Sequence, residues 1–266
     1  MKRWITVLTA LGIFFATIAI SVVSVLSVYA SNAHAASIYA KNIAVINDFS
    51  TYSQFFKERG IQLLTTPSLQ LANDSWTATN SGDKDTLYAA AILTAEFTKF
   101  TPQQLQKTGL KKIYLVKDLY VEGQYRSGMP EPHFEHALYF DVGNDYLTSE
   151  NGVYMKRVFQ HELLHLIEYD LYNSYAPVDT AWDACNASGF IYGKGGASMY
   201  ANPDFAHKIH PSYGFINGYA TSGQEEDKAE MFAEFMTNPI GLASLADKDS
   251  GIACKVSQTT ALLQSL

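Results

Sequence analysis

The most restrictive feature of the sequence is the pentapeptide HELLH at residues 161–165. Apolar residues recur around it at helical spacing, which predicts a helix that runs to about Asp170. On a helix, residues four positions apart lie on one face, one turn from each other. His161 and His165 can therefore bind a single metal ion while Glu162 reaches a water at that metal. The alternative interpretation is an exposed helix face that carries two unrelated histidines.

A metal site of this kind needs a further protein ligand, and acidic residues downstream offer one. Ser222 and Glu225 have the spacing of a capping box, which predicts a helix over residues 222–236. Glu226 and Glu230 lie one turn apart on that helix, so one carboxylate can bind the metal and the other can orient a ligating histidine. Glu226 also fits an acidic first turn stabilised by the helix dipole. Other carboxylates on the same helix leave the choice of ligand open.

The residues around this second helix resemble those of a known group of zinc peptidases. The sequence YATS at residues 219–222 precedes EDKAEMFA at residues 226–233, and the HELLH motif lies upstream. This arrangement resembles the zincin metallopeptidases related to the anthrax lethal factor catalytic domain and the Pro-Pro endopeptidases. Trp182 and the stretch GFIY at residues 189–192 also resemble a segment of bacterial relatives. The resemblance spans about residues 110–237.

The resemblance implies a role for each residue of the candidate site. The ligands of one Zn²⁺ per chain would be His161, His165 and Glu226. Glu162 would accept a proton from the attacking water and deliver it to the leaving nitrogen. Tyr219, seven residues before Glu226, would donate a hydrogen bond to the developing oxyanion. Glu230 would orient a ligating histidine.

The N-terminal segment indicates export across a membrane. The basic start Lys2-Arg3 is followed by an uncharged run over residues 4–30 and by the small-residue sequence Ala33-His34-Ala35. Residues 1–35 therefore have the pattern of a secretory signal peptide, which we expect to be cleaved. The uncharged run also approaches the roughly 20 residues that span a bilayer, so an uncleaved membrane anchor is the alternative. Both interpretations place residues 36–266 outside the cytoplasm, secreted or held at the cell surface.

Composition limits the class of protein and its partners. The 266-residue chain has 47% apolar and 17% charged residues, which is typical of a folded protein. Its net charge of -7 gives no basic face for a phosphate backbone, so nucleic acid is not an expected partner. Cys185 and Cys254 are too few for a cysteine-rich scaffold. In an oxidising compartment they are expected to form one disulfide, with two free thiols as the alternative.

The patterns and the resemblance together predict an α+β fold, a zincin-like domain with a small mixed sheet beside the HELLH helix. Helices are expected at residues 50–59, 85–99 and 101–109, and strands at residues 61–65, 111–121 and 137–142. The segments expected to be loops are residues 73–82 and 123–136, and no long period appears in residues 173–219. Residues 36–266 are expected to form a single domain, in which residues 36–82 could be a small lead-in subdomain. The spaced histidine pairs expected to lie at the surface are His133/His136 and His207/His210.

The sequence therefore predicts a secreted zinc-dependent endopeptidase that takes protein or peptide substrates in extended conformation. By analogy with zincins, residues 138–142 are expected to be the sheet edge that pairs with substrate. A catalytically inactive zincin-like module for extracellular binding or adhesion is the alternative. Glu162 and Tyr219 favour the enzyme, because a purely structural site needs neither a base nor an oxyanion donor. A membrane is expected as a partner only through residues 4–30, if the leader is not cleaved.

Overall fold

The residues that the computed structural model describes are 48–68, 75–82, 84–143 and 152–266. Within these ranges the chain is a mixed α+β protein with one small mixed sheet. The leader expected at residues 1–35 lies outside them, as do Thr148, Ser149 and Asn151, residues of a type that could cap the start of the HELLH helix. In the part of the chain that is described, no helix is long and apolar enough to cross a membrane.

The elements follow the sequence patterns closely where those patterns are regular. The strands are β1 (Gln62–Leu64), β2 (Trp76–Asn80), β3 (Lys112–Val121), β4 (Gln124–Tyr125), β5 (Gly128–Glu131) and β6 (Ala137–Asp141). The helices are α1 (Phe49–Lys57), α2 (Lys84–Phe97), α3 (Pro102–Lys107), α4 (Val153–Tyr172), α5 (Thr180–Asp183), α6 (Pro203–Ala206), α7 (Gln224–Thr237), α8 (Pro239–Ala246) and α9 (Ser250–Ser265). The three helices predicted before β3 are confirmed with ends within two residues. Between α4 and α7 lie only short helices and 3-10 turns, as expected for that segment.

The sheet is built around β3, the longest strand. The order of hydrogen-bonded neighbours is β1, β3, β6 and β5, and β2 and β4 also pair with β3. β1 and β6 run parallel to β3, whereas β2 and β4 run antiparallel to it. β5 runs antiparallel to β6 at the end of the order. Residues 62–64 and 76–80 therefore belong to the same sheet as the strands that precede the HELLH helix.

Two segments predicted to be loops contain strands, so those predictions are wrong. β2 lies within residues 73–82, where polar side chains suggested a loop. The polar side chains of this strand, Thr77, Thr79 and Asn80, are exposed, and its hydrogen bonds to β3 hold it in the sheet. β5 lies within residues 123–136, where glycine and proline suggested a loop. Pro130 sits on a strand that pairs on one side with β6, and an edge strand tolerates the missing N–H of proline.

The prediction that residues 138–142 form the sheet edge is also wrong. β6 lies between β3 and β5, and every one of its residues is buried. A strand that is buried along its whole length is typical of the interior of a sheet, where both faces are covered. In the described part of the chain, β5 is the strand at this edge.

Helix α4 connects the sheet to the second acidic helix. It packs against β5 and β6 on one side and against α7 on the other. The Phe159 ring lies 4.3 Å from the Phe140 ring of β6, and Leu163 is completely buried. Gly152 is the N-cap residue with φ 68°, a left-handed conformation that glycine adopts without a Cβ penalty. These contacts fix the orientation of the HELLH side chains relative to β5.

Helix α7 does not begin with the predicted capping box. Gly223 is its N-cap residue, and no side chain caps its first turn. Ser222 instead continues the helical conformation of the preceding turn, Tyr219–Thr221, and its buried hydroxyl has no hydrogen-bond partner among the described residues. The helix therefore starts at Gln224, immediately after a compact turn that contains Tyr219.

A disulfide joins Cys185, just after α5, to Cys254 on α9, with a Cα–Cα distance of 5.6 Å. Their sequence separation is 69 residues. The bridge therefore attaches the irregular segment between α4 and α7 to the C-terminal helix.

Candidate metal centre

The two HELLH histidines face the same point from adjacent turns of α4. The Nε2 atoms of His161 and His165 are 3.1 Å apart, and the two ring centroids are 4.8 Å apart. Both side chains are largely enclosed, with exposed fractions of 11% and 12%. This placement follows from the helical period, which stacks residues four positions apart.

Glu226 approaches the same point from the first turn of α7. Its Oε2 atom lies 3.1 Å from His161 Nε2 and 3.5 Å from His165 Nε2. Ligand atoms held about 2.0–2.1 Å from one zinc ion at tetrahedral angles lie roughly 3.3 Å from each other. The three observed separations are close to that value, and the group His161, His165 and Glu226 could hold a metal ion.

The Glu226 carboxylate points its Oε2 atom at the two imidazoles. That atom is buried, and among the described residues it has no hydrogen-bond partner beyond the facing imidazole nitrogens. Burial alone would raise the pKa of Glu226, but the two facing imidazoles outweigh it and hold that pKa well below its usual range. A buried carboxylate oxygen that faces two imidazole nitrogens and no other donor has the chemistry of a metal ligand.

Glu230 orients His161 from the opposite side of the ring. Its Oε1 atom lies 3.0 Å from His161 Nδ1, so Nδ1 can donate its proton to the carboxylate and leave Nε2 free to bind a metal. Arg157 and the Asn217 amide donate to its Oε2 atom at 2.7 and 2.6 Å. Burial would raise the pKa of Glu230, but Arg157 and His161 lower it to about 2. Glu230 therefore remains a carboxylate at any physiological pH.

Glu162 lies on the side of α4 that faces β5. A Cβ atom at Gly128 would be 2.7 Å from Glu162 Cγ, so the edge strand passes directly against this side chain. Burial raises the pKa of the Glu162 carboxyl, although His161 and His165 oppose that shift. A carboxyl with a raised pKa is suited to accept and return a proton near neutral pH.

Tyr219 approaches the centre from the turn that precedes α7. Its hydroxyl donates to Glu226 Oε1 over 3.2 Å. Burial, together with the charge of Glu226, raises the pKa of the phenol, which therefore stays protonated and available as a donor. A Cβ atom at Gly196 would collide with the Tyr219 hydroxyl and with Glu226 Oε1, so glycine is required where this backbone meets the centre.

The residue after Glu226 anchors the first turn of α7 in the core. Asp227 Oδ2 accepts hydrogen bonds from Trp182 Nε1 at 2.8 Å, the Tyr192 hydroxyl at 2.7 Å and Lys255 Nζ at 2.6 Å. Asp227 and Lys255 have no exposed side-chain surface. This network connects α7 to α9 and to the segment that contains Trp182 and Tyr192, two residues that are part of the resemblance to the zinc peptidases.

The structure brings together every residue predicted for the site. His161, Glu162, His165, Tyr219, Glu226 and Glu230 lie around one point, and His161, His165 and Glu226 form the metal-compatible group found in the described part of the chain. His133, His207 and His210 are exposed and His136 is partly exposed, as expected. Sequence reasoning missed Arg157, Asn217, Gly128 and Gly196. Of these, only Arg157 could have been found from the sequence, because it lies one helical turn before His161 and therefore on the same face of the helix.

Comparisons with protein-family models, curated proteins and solved structures find no match to this chain. The chemistry of the centre therefore rests on its own geometry.

Proposed function

We propose that this protein is a zinc-dependent endopeptidase with a zincin-like fold. The observation that carries the proposal is the convergence of His161, His165 and Glu226 at near-tetrahedral spacing, with Glu162 and Tyr219 close to these ligands. Two imidazoles and one carboxylate are a donor set that zinc accepts in catalytic sites, where three protein ligands leave a position open. A closed structural site would need a fourth protein ligand instead.

The residues around the centre divide the chemistry of peptide hydrolysis among them. Bound Zn²⁺ would supply Lewis acidity, which polarises a carbonyl and lowers the pKa of water. Glu162 would take a proton from the attacking water and transfer it to the leaving nitrogen. Tyr219 would turn its hydroxyl from Glu226 toward the oxyanion. Glu230, 3.0 Å from His161 Nδ1, would hold His161 in the tautomer that presents Nε2.

An extended peptide would bind along β5. In the described ranges this strand pairs with β6 alone, so no strand occupies its other edge, where β-strand addition would place a peptide. Gly128 brings that strand against Glu162, so a peptide paired with it would pass close to the base. β5 therefore replaces residues 138–142 as the proposed substrate strand.

The proposal includes an extracytoplasmic location. It is supported by the leader pattern of residues 1–35 and by the disulfide between Cys185 and Cys254, because such bridges persist in oxidising compartments. The partners would be protein or peptide substrates, with membrane contact only through residues 4–30 if they are retained. Nucleic acid is not a proposed partner.

The test is metal analysis of purified residues 36–266 together with digestion of a peptide library. We expect about one zinc per chain and cleavage that a chelator stops and added zinc restores. Glu162→Gln should retain the zinc and lose cleavage, because it removes a base without removing a ligand. Glu58→Gln, on exposed helix-end surface, is the matched control and should cleave normally.

Two outcomes would contradict the proposal. Full cleavage by Glu162→Gln would exclude the assigned base. Stoichiometric zinc without cleavage of any library peptide would favour the binding or adhesion module.

A further inference from the structure

Arg126 and Tyr200 form a contact between the two sides of the metal centre. Arg126 lies two residues before Gly128, the first residue of β5, which lies against Glu162. Tyr200 lies on the turn Gly196–Ala201, whose first residue lies against Tyr219 and Glu226. The Arg126 guanidinium donates to the Tyr200 hydroxyl and stands 5.2 Å from the centre of its ring. The contact therefore joins the strand side of the centre to its loop side.

The guanidinium of Arg126 has only uncharged oxygen partners. One Nη atom donates to the Tyr200 hydroxyl and the other to Gln124 Oε1 at 3.0 Å. Among the described residues no carboxylate forms an ion pair with it, and the nearby charge that acts on it is the Glu162 carboxylate, whose pKa, raised by burial, the Arg126 charge lowers without a direct contact. Arg157, on the other side of the centre, is by contrast paired with both Glu230 and Glu234.

One donor of Arg126 is buried and unused. Its Nε atom has no hydrogen-bond partner in the described part of the chain. A buried N–H without a partner costs free energy, and a guanidinium presents its donors in a planar fork that matches a carboxylate. The phenol of Tyr200 satisfies one arm of that fork and cannot neutralise its charge. A carboxylate would satisfy two arms and the charge together.

We propose that Arg126 is a specificity residue that binds a carboxylate of the peptide substrate in place of the Tyr200 hydroxyl. The proposal rests on the proposed function and names its substrate class, peptides with a carboxylate near the cleaved bond. A peptide paired with β5 would lie alongside Arg126 within about two residues of the bond opposite Glu162, because successive residues of a strand advance about 3.3 Å. The carboxylate can displace the Tyr200 side chain, because that residue is 52% exposed and can move into solvent.

The carboxylate has two chemical sources, an acidic side chain within the peptide or the free carboxylate at its C-terminus. The peptides for the test derive from one library substrate that the protein cleaves. One arm compares glutamate with glutamine at positions within three residues of the cleaved bond, with the C-terminus amidated. The other arm compares a free C-terminus with an amide at the same distance, with no acidic side chain.

The measured quantity is the ratio of kcat/KM for the carboxylate peptide to that for its uncharged counterpart. We expect a ratio of about 10- to 100-fold in one of the two arms, the scale of a charge-assisted hydrogen bond, and a ratio near one in Arg126→Gln. Arg59→Gln is the matched control, because Arg59 bonds to Phe55 on α1 and should keep the wild-type ratio. An unchanged ratio in Arg126→Gln, or no preference in the wild type, would overturn the proposal.

Tyr200→Phe is a second variant that keeps the guanidinium. It removes the competing oxygen, so the carboxylate preference should be retained or increased, and a ratio near one would count against the proposal.

A binding measurement makes failure of this proposal distinguishable from failure of the proposed function. Fluorescence anisotropy of labelled library peptides, paired as glutamate against glutamine and as free against amidated C-terminus, on zinc-loaded Glu162→Gln should show the same preference in Kd, dependent on Arg126, even if the wild type cleaves nothing. Equal Kd values for the carboxylate peptide and its uncharged counterpart in both arms would refute carboxylate recognition, whatever the cleavage result.

Discussion

Replacement of Lys255 by methionine tests whether the buried ion pair with Asp227 holds the ligand helix in place. The Lys255 side chain is fully buried and donates to Asp227 Oδ2 and to the Gly214 carbonyl, both at 2.6 Å. Methionine preserves most of the side-chain volume but leaves the Asp227 carboxylate without its counterion. Asp227 Oδ1 already has no hydrogen-bond partner among the described residues, so the remaining donors are those of Trp182 and Tyr192 on Oδ2.

The expected magnitude follows from this uncompensated charge. Removal of one partner of a buried ion pair costs about 3–5 kcal/mol in the free energy of unfolding. For a chain of this size that loss corresponds to a decrease in Tm of about 6–20 °C. Lys248→Met, which changes an exposed lysine, should alter the free energy of unfolding by about 0.5 kcal/mol or less.

The assay is urea unfolding followed by circular dichroism, with the disulfide intact and a chelator present so that metal binding does not contribute to stability. Asp227→Asn in the Lys255→Met background removes the stranded charge and should recover at least about 1 kcal/mol. A free energy of unfolding for Lys255→Met within about 1 kcal/mol of the wild type would refute the reasoning. So would a double variant that is no more stable than Lys255→Met alone, since the loss would then come from packing rather than charge.

Two further predictions concern the centre itself. In competitive chelator titration, Glu226→Gln should lose zinc at dilutions where Glu230→Gln still retains it, because a partner of a ligating histidine typically contributes only about 10–100-fold in metal affinity; the reverse order would make Glu230 the ligand. Tyr219→Phe should bind zinc as the wild type does but lose about 10²–10³ in kcat, the scale of one oxyanion donor. An unchanged kcat would leave Tyr219 with a packing role.

The sequence by itself determined the features that depend on neighbours along the chain. The helical period places the two HELLH imidazoles on one face of α4. Tyr219 lies seven residues before Glu226, on a turn that leads directly into the first turn of α7, where Glu226 lies. Apolar runs located β3 and β6 within one residue of their ends. These features follow from periodicity and local backbone preferences, which a sequence carries explicitly.

Only the tertiary structure decided which strand lies at the sheet edge and which charges meet. β5 contains glycine and proline, and its strand conformation comes from hydrogen bonds to β6 rather than from its own residues. Arg157 reaches Glu230 from 73 residues away, and Arg126 reaches Tyr200 from 74 residues away. Such contacts arise because burying apolar faces brings α4, α7 and the sheet together, and the polar groups carried with them must then find partners across elements. The local sequence pattern therefore determined which residues form the centre, and tertiary packing determined which strand and which charged residues surround it.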